Sequence, residues 1–291
     1  MEEATTGLAD AVAVNSNFTR GVYQEHFPLL AKLGAVSSAA PWFPAAQPRV
    51  LYPAVDLDAW PPYEAPPATL KAKSRSFVAS LNRYERKKNI GLSIEMLGIL
   101  KDLSSRRTEV PLLVVAGGYD PRVTENVEHL EELKAACDTH GLKYVQPEAA
   151  ADLRLEPQSL IVEPEVDVVF LCSISDALRE DLLKAARCVI YTPDREHFGI
   201  VPLEAMFVGT PVLAVASGGP LETVRHGETG FLAEDEPKAF AEALVASGLL
   251  NPKTGLGRKR ELGLAAHEHV RDSFGSDAFQ KALETACVDC V

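Results

Sequence analysis

From Ser74 onward the chain alternates short apolar runs with stretches of helical period, and that alternation constrains its fold more than any other feature. The strand-like runs are RSFVASL (75–81), PLLVVAGG (111–118), VDVVFLCS (166–173), RCVIYTP (187–193) and PVLAVAS (211–217). They are apolar throughout rather than alternating, the pattern of parallel strands covered on both faces. Between them Ile90, Ile94 and Leu97 recur at helical spacing, and further helices are expected through 123–140, 176–186 and 199–208. Such repeated units predict an α/β fold, a parallel sheet with helices on both faces and ligands at the carboxyl ends of its strands. Residues 237–250, 256–273 and 276–287 are expected to be helical and to close the chain. Residues 141–165 are expected to be a variable loop with one short strand at Lys143–Val145.

The segment before this pattern is different. DAVAVNSNFTRGVYQEHFP predicts a short strand over 11–15 and a helix beginning at Ser16 or Asn17. Pro41, Pro44, Pro48, Pro53, Pro61, Pro62, Pro66 and Pro67 then crowd one stretch, which excludes regular helix and central strand. It reads as a linker or crossover containing one short strand, RVLYP (49–53).

Composition narrows the function. The formal net charge of −12 argues against a nucleic-acid partner, so an anionic ligand needs a local basic pocket. No apolar run reaches the roughly 18 residues of a spanning helix, and MEEATTGLAD lacks the basic start of a signal peptide. Of five cysteines, Cys137, Cys172, Cys188 and Cys287 sit in apolar or helical stretches and read as reduced, buried thiols. Cys287 and Cys290 form a C-x-x-C without the partners that redox or zinc chemistry needs. These signals point to a reducing, cytosol-facing compartment, where the Asn17 glycosylation sequon is unused. His267 and His269, two apart on an expected helix, do not share a face and read as surface, with no metal site anywhere in the chain.

Two blocks carry chemistry. In residues 191–232 a strand ends near Thr192, a polar loop follows, and a helix begins near Gly199 with Pro202 in its first turn. Unpaired amides and the dipole at that helix start suit a diphosphate, and Gly199 permits close approach. Glu196 in the loop and Glu204 inside the helix could reach a sugar and a ribose respectively. Taken alone they read instead as a loop charge and a solvated helix residue. The second block is SLNRYERKKN (80–89), where Arg83, Arg86, Lys87 and Lys88 follow a strand end. It reads either as a solvated basic loop or as a pair, Arg83 and Lys88, placed to neutralise a departing diphosphate. Gly117-Gly118 and Gly218-Gly219, each after a strand, are either tight turns or points of close ligand approach.

EHFGIVPLEAM, SGGPLE and GETGFL together resemble the E-x7-E region of retaining GT-B glycosyltransferases. The resemblance implies that Glu196 holds donor-sugar hydroxyls and Glu204 the ribose, with His197, Phe198, Gly199 and Ile200 shaping the phosphate and sugar pocket. Members of the family also carry an Arg-x4-Lys pair, matched by Arg83 and Lys88, with Lys87 a possible substitute. Glycine usually follows that lysine; Asn89 stands here.

VNSNFTRGVY, LYPAVDLDAW, NRYERKKN, FLCSISDALREDLL and YTPDREHFGIVPLEAM are similar, in order, to the α-1,3/1,6-mannosyltransferases of dolichol-linked oligosaccharide synthesis. That likeness implies GDP-mannose as donor, a dolichol-linked mannosyl-chitobiose as acceptor, no metal cofactor, and the cytosolic face of the endoplasmic reticulum, bound peripherally. It divides the chain into a remnant of an acceptor-side Rossmann-like domain (1–40), a proline-rich linker (41–72), a donor-binding Rossmann-like domain (73–250) and C-terminal helices (251–291). The missing acceptor domain is expected from an upstream segment or a separate subunit. Two other readings stand beside this one: a non-catalytic donor-domain remnant, and another retaining hexosyltransferase of the same fold.

Overall fold

The computed structural model describes residues 2–9, 11–35, 47–60, 63, 75–104, 110–147, 154–156 and 159–288. Most of the proline cluster and Cys290 lie outside these residues. The N-terminal part comprises α1 (Glu2–Thr6), β1 (Ala13–Val14), α2 (Asn17–His26), α3 (Pro28–Gly34) and β2 (Arg49–Val50). The strands β1 and β2 pair in parallel, shorter than the sequence suggests. Ser16 sets the start of α2: in extended backbone, its hydroxyl accepts the amide of Thr19, satisfying one of the first-turn donors.

The rest is one α/β unit. It runs β3 (Phe77–Leu81), α4 (Gly91–Leu103), β4 (Leu112–Gly117), α5 (Thr124–Thr139), β5 (Tyr144–Val145), β6 (Arg154–Glu156), β7 (Ser159–Ile161), β8 (Val168–Cys172) and α6 (Asp176–Ala185). It continues with β9 (Val189–Tyr191), α7 (Ile200–Phe207), β10 (Val212–Val215), α8 (Pro220–Thr223), β11 (Gly230–Ala233), α9 (Pro237–Ala246), α10 (Gly255–Phe274) and α11 (Ser276–Val288). Seven of these strands form a sheet in the order β11-β10-β9-β3-β4-β8-β5, every pairing parallel.

The apolar strands are explained by two cores. Phe77, Ala79 and Leu81 of β3 face Leu182 and Leu183 of α6, Leu203 and Met206 of α7, and Val270 of α10. Val78 faces the other way, with Leu113 and Val115, onto Ile94 and Leu97 of α4, Leu133 of α5 and Phe240 of α9. Each such fully buried Leu, Ile or Phe contributes about 1.5–3 kcal/mol of transfer free energy. Neither face can tolerate polar alternation.

Several expectations needed correction. The stretch 141–165 contains, besides β5, the antiparallel hairpin of β6 and β7. The strand β11 is not expected from the sequence, because four residues that begin with Gly230 and closely follow Gly227 carry too little apolar signal. His267 and His269 are not surface residues. His269 is buried with Nε2 on the Thr223 carbonyl, and His267 stacks between Phe207 and Tyr63. Cys137 and Cys188 are buried as expected, Cys172 is half-buried, and Cys287 is exposed on the last helix.

Candidate nucleotide-sugar crevice

The chain order places the site. From the central β3 it moves to β4, then to the edge strand β5 and back to β8 on one side, and crosses through β9 to β10 and β11 on the other. Connections therefore leave β3 and β9 in opposite directions, and a crevice opens at their carboxyl ends. It encloses about 330 Å³ and is lined by Asn82, Arg83, Lys88, Gly117, Gly118, Ile174, Arg179, Tyr191, Glu196, Gly199, Ile200 and Val201, among others.

The loop after β3 is built from its own sequence. Tyr84 is buried and donates to the Val115 carbonyl at 3.0 Å, while Asn126 Nδ2 holds the Tyr84 carbonyl at 2.9 Å. Arg86 turns away to Glu128 and Glu132 on α5. A single 3-10 turn, Arg86–Lys88, then ends in Asn89 at φ 50°, ψ 38°. That left-handed conformation is the one glycine takes freely and asparagine tolerates best among other residues. It accounts for Asn89 at the position where the family resemblance leads one to expect glycine.

This turn sends Lys88 inward and Lys87 outward. Lys87 is two-thirds exposed and pairs with Glu85 at 3.1 Å. Lys88 is 15% exposed, and its Nζ lies 2.5 Å from Glu196 Oε2. Of the two lysines, Lys88 is the one in the crevice. Arg83 lines the rim, largely exposed, and its guanidinium is 2.9 Å from Glu85.

Glu196 sits opposite, in the loop after β9. Burial alone would raise its carboxyl pKa. The hydrogen bond and charge of Lys88, helped by the Tyr191 hydroxyl at 3.3 Å, outweigh it and hold the group below the ordinary carboxylate range. Tyr191 is pushed upward by burial and by the same carboxylate. Gly199, whose φ is 81°, leads directly into the helix α7, and no side chain caps it. Its first-turn amides and dipole thus meet the crevice as an anion site.

Glycines support this arrangement from behind. A Cβ on Gly219 would lie 2.1 Å from the Phe198 carbonyl oxygen, and the Gly219 amide donates to the Glu196 carbonyl at 2.7 Å. A Cβ on Gly117 would lie 2.1 Å from the Asn82 carbonyl oxygen. Both pairs therefore allow close backbone packing around the crevice.

Not every expected residue points into the crevice. Gly199 and Ile200 line it, whereas Phe198 is buried against Tyr52 and Phe274. His197 turns toward α2, where Nδ1 is 2.9 Å from the Thr19 hydroxyl. Glu204 is not a solvated helix residue: it is buried and pairs with Arg179. Burial raises its carboxyl pKa more than Arg179 lowers it. Arg179, which lines the crevice and also sits 5.9 Å over the Trp60 ring, was missed from sequence. Its only signal is its place in the helix after β8. Glu222 was likewise missed although it closes SGGPLE. It accepts the Asn17 and Phe18 amides, both at 2.8 Å, and the Tyr52 hydroxyl.

Residues 64–253 match the family described as glycosyl transferases group 1. The chain is 40% identical over 287 residues to human "Alpha-1,3/1,6-mannosyltransferase ALG2", covering 97% of this chain and 59% of that protein. It is 38% identical to the protein of the same name from Rhizomucor pusillus, covering 99% and 60%. The chain thus spans about 60% of the length of these curated relatives. Among solved structures, sucrose-phosphate synthase from Thermosynechococcus elongatus superposes with a TM-score of 0.67 at 23% identity, over 99% of this chain and 59% of that one. A glycosyltransferase from Rickettsia africae gives 0.67 at 16% identity, over 97% and 65%. These likenesses carry the GT-B fold. More than half of the chain matches the family, and it belongs to the group 1 glycosyl transferases.

Proposed function

We propose that this chain holds GDP-mannose for a retaining α-1,3/1,6-mannosyltransferase acting on a dolichol-linked mannosyl-chitobiose. The observation that carries the reading is the meeting of Lys88, Arg83 and Glu196 with the uncapped start of α7 in one crevice. A diphosphate lies on the amides and beside the two cations, and the sugar hydroxyls donate to Glu196. Glu204, steadied by Arg179, faces the ribose. The bond between the anomeric carbon and the diphosphate oxygen breaks as the acceptor oxygen bonds to that carbon. The acceptor's proton passes to the departing diphosphate. Arg83 and Lys88 stabilise the charge developing there, so the reaction needs no resident metal ion.

In this proposal an upstream segment or a separate subunit supplies the acceptor side, since the similarity to the mannosyltransferases covers about 60% of their length. The work is done at the cytosolic face of the endoplasmic reticulum, by peripheral association. No helix among the described residues is long and apolar enough to cross a membrane. Competition among GDP-mannose, UDP-glucose and an ADP-sugar, followed by a transfer assay on a phytanyl-linked acceptor, tests the reading. It expects GDP-mannose to win. Preference for UDP-glucose would assign another donor, and binding without transfer would leave a donor module.

A further inference from the structure

The loop that carries Glu196 is held from outside the sheet. Ser16, fully buried at the start of α2, donates its hydroxyl to the His197 carbonyl at 2.5 Å. The Thr19 hydroxyl donates to Asn15 Oδ1 at 2.5 Å and therefore accepts from His197 Nδ1, 2.9 Å away. The ring of Phe18 meets the edge of His197 and lies under the Arg195 guanidinium, each at 5.6 Å. Residues on both sides of Glu196 are thus gripped by one turn of α2. That turn is itself fastened to the domain by Glu222, whose carboxylate accepts the Asn17 and Phe18 amides.

The loop has reason to need a grip. Arg195 has φ 50°, a left-handed conformation that an arginine adopts only when its surroundings impose it. The polar stretch from Asp194 to His197 is largely exposed, with Glu196 half-buried, so packing alone does not fix it. A carboxylate that must meet sugar hydroxyls at hydrogen-bond distance is sensitive to small shifts of its backbone.

We propose that Ser16 and Thr19 are positioning residues for Glu196, joining the N-terminal segment to recognition of the donor sugar. This rests on the reading of Glu196 as the sugar-binding carboxylate. It assigns the two hydroxyls to the sugar and not to the nucleotide, because both meet His197, the residue next to Glu196, whereas Arg83 and the backbone of Lys88 are carried by the separate loop after β3.

The test is calorimetric titration of the whole chain and its variants with GDP and, separately, GDP-mannose. Thr19→Val removes the hydroxyl while leaving the Ser16 cap of α2 in place, and Thr19→Ser keeps it. Thr19→Val is expected to lose about three- to tenfold in GDP-mannose affinity, the range of one hydrogen bond. GDP affinity stays at the wild-type value, and Thr19→Ser binds both as wild type does. A purely structural role would weaken GDP and GDP-mannose together, and that result overturns the proposal. If wild type prefers GDP-mannose and Thr19→Val keeps the full preference, the positioning role alone falls. If wild type binds GDP and GDP-mannose equally, the reading of Glu196 falls with it.

Discussion

Lys88 Nζ and Glu196 Oε2, 108 residues apart in the chain, stand 2.5 Å from each other across the carboxyl ends of β3 and β9. The contact joins a cation suited to a diphosphate with a carboxylate suited to sugar hydroxyls, and it sets the protonation state of the latter. Both side chains are mostly buried, so solvent screens the pair less than it would an exposed one.

Replacing Lys88 with methionine keeps the aliphatic stem and removes the charge. Burial then acts on Glu196 without its main opposing partner, the Tyr191 hydroxyl remaining, and its carboxyl pKa rises relative to wild type. A carboxylate held below its unfolded pKa adds stability above that value and loses it as pH falls through the folded pKa. In wild type this loss comes below the ordinary carboxylate range. In Lys88→Met it is expected at higher pH and with smaller amplitude. Urea unfolding across the acid range checks this; an unchanged profile would mean that Lys88 does not govern Glu196.

Arg179→Met leaves the buried Glu204 without its cation. The Glu204 pKa is already raised by burial, so it climbs further. Because the folded state then holds the proton more tightly than the unfolded state, stability falls as pH rises from the unfolded toward the folded pKa. The variant is expected to be about 1–3 kcal/mol less stable than wild type at neutral pH and closer to it in acid. Glu204→Gln in the same background should recover much of the loss. Chemical denaturation at two pH values measures it.

Asn89 carries the backbone turn that aims Lys88 inward. Asn89→Gly is expected to change stability by only a few tenths of a kcal/mol, since glycine adopts the same conformation and the lost bond to Asp235 is exposed. Asn89→Val should cost about 1–2 kcal/mol, the penalty of a left-handed β-branched residue. Thermal unfolding of the two variants compares them directly. Equal losses would remove the conformational account of this position.

The sheet and most of the crevice were legible because both depend on local pattern. Strands such as PLLVVAGG are apolar on two faces, and Lys88, Glu196 and Gly199 follow strand ends that converge once the sheet is parallel. Arg179 and Glu222 were not legible, because their partners Glu204 and Asn17 lie 25 and 205 residues away and no spacing rule links them. His197 and Phe198 adjoin Glu196 in sequence, yet their side chains leave the crevice. Successive loop residues point in different directions, and α2, Tyr52 and Phe274 offered partners that sequence could not place beside them.

The central claim is that Glu196 holds the sugar of a nucleotide-sugar donor, and titration of GDP-mannose into wild type and Glu196→Ala tests it most directly. Loss of one charge-assisted hydrogen bond is expected to cost about 1.5–3 kcal/mol, roughly ten- to a hundredfold in affinity, while the variant stays folded by circular dichroism. Equal affinity per folded molecule in the two proteins, or no saturable binding by wild type, would contradict the account.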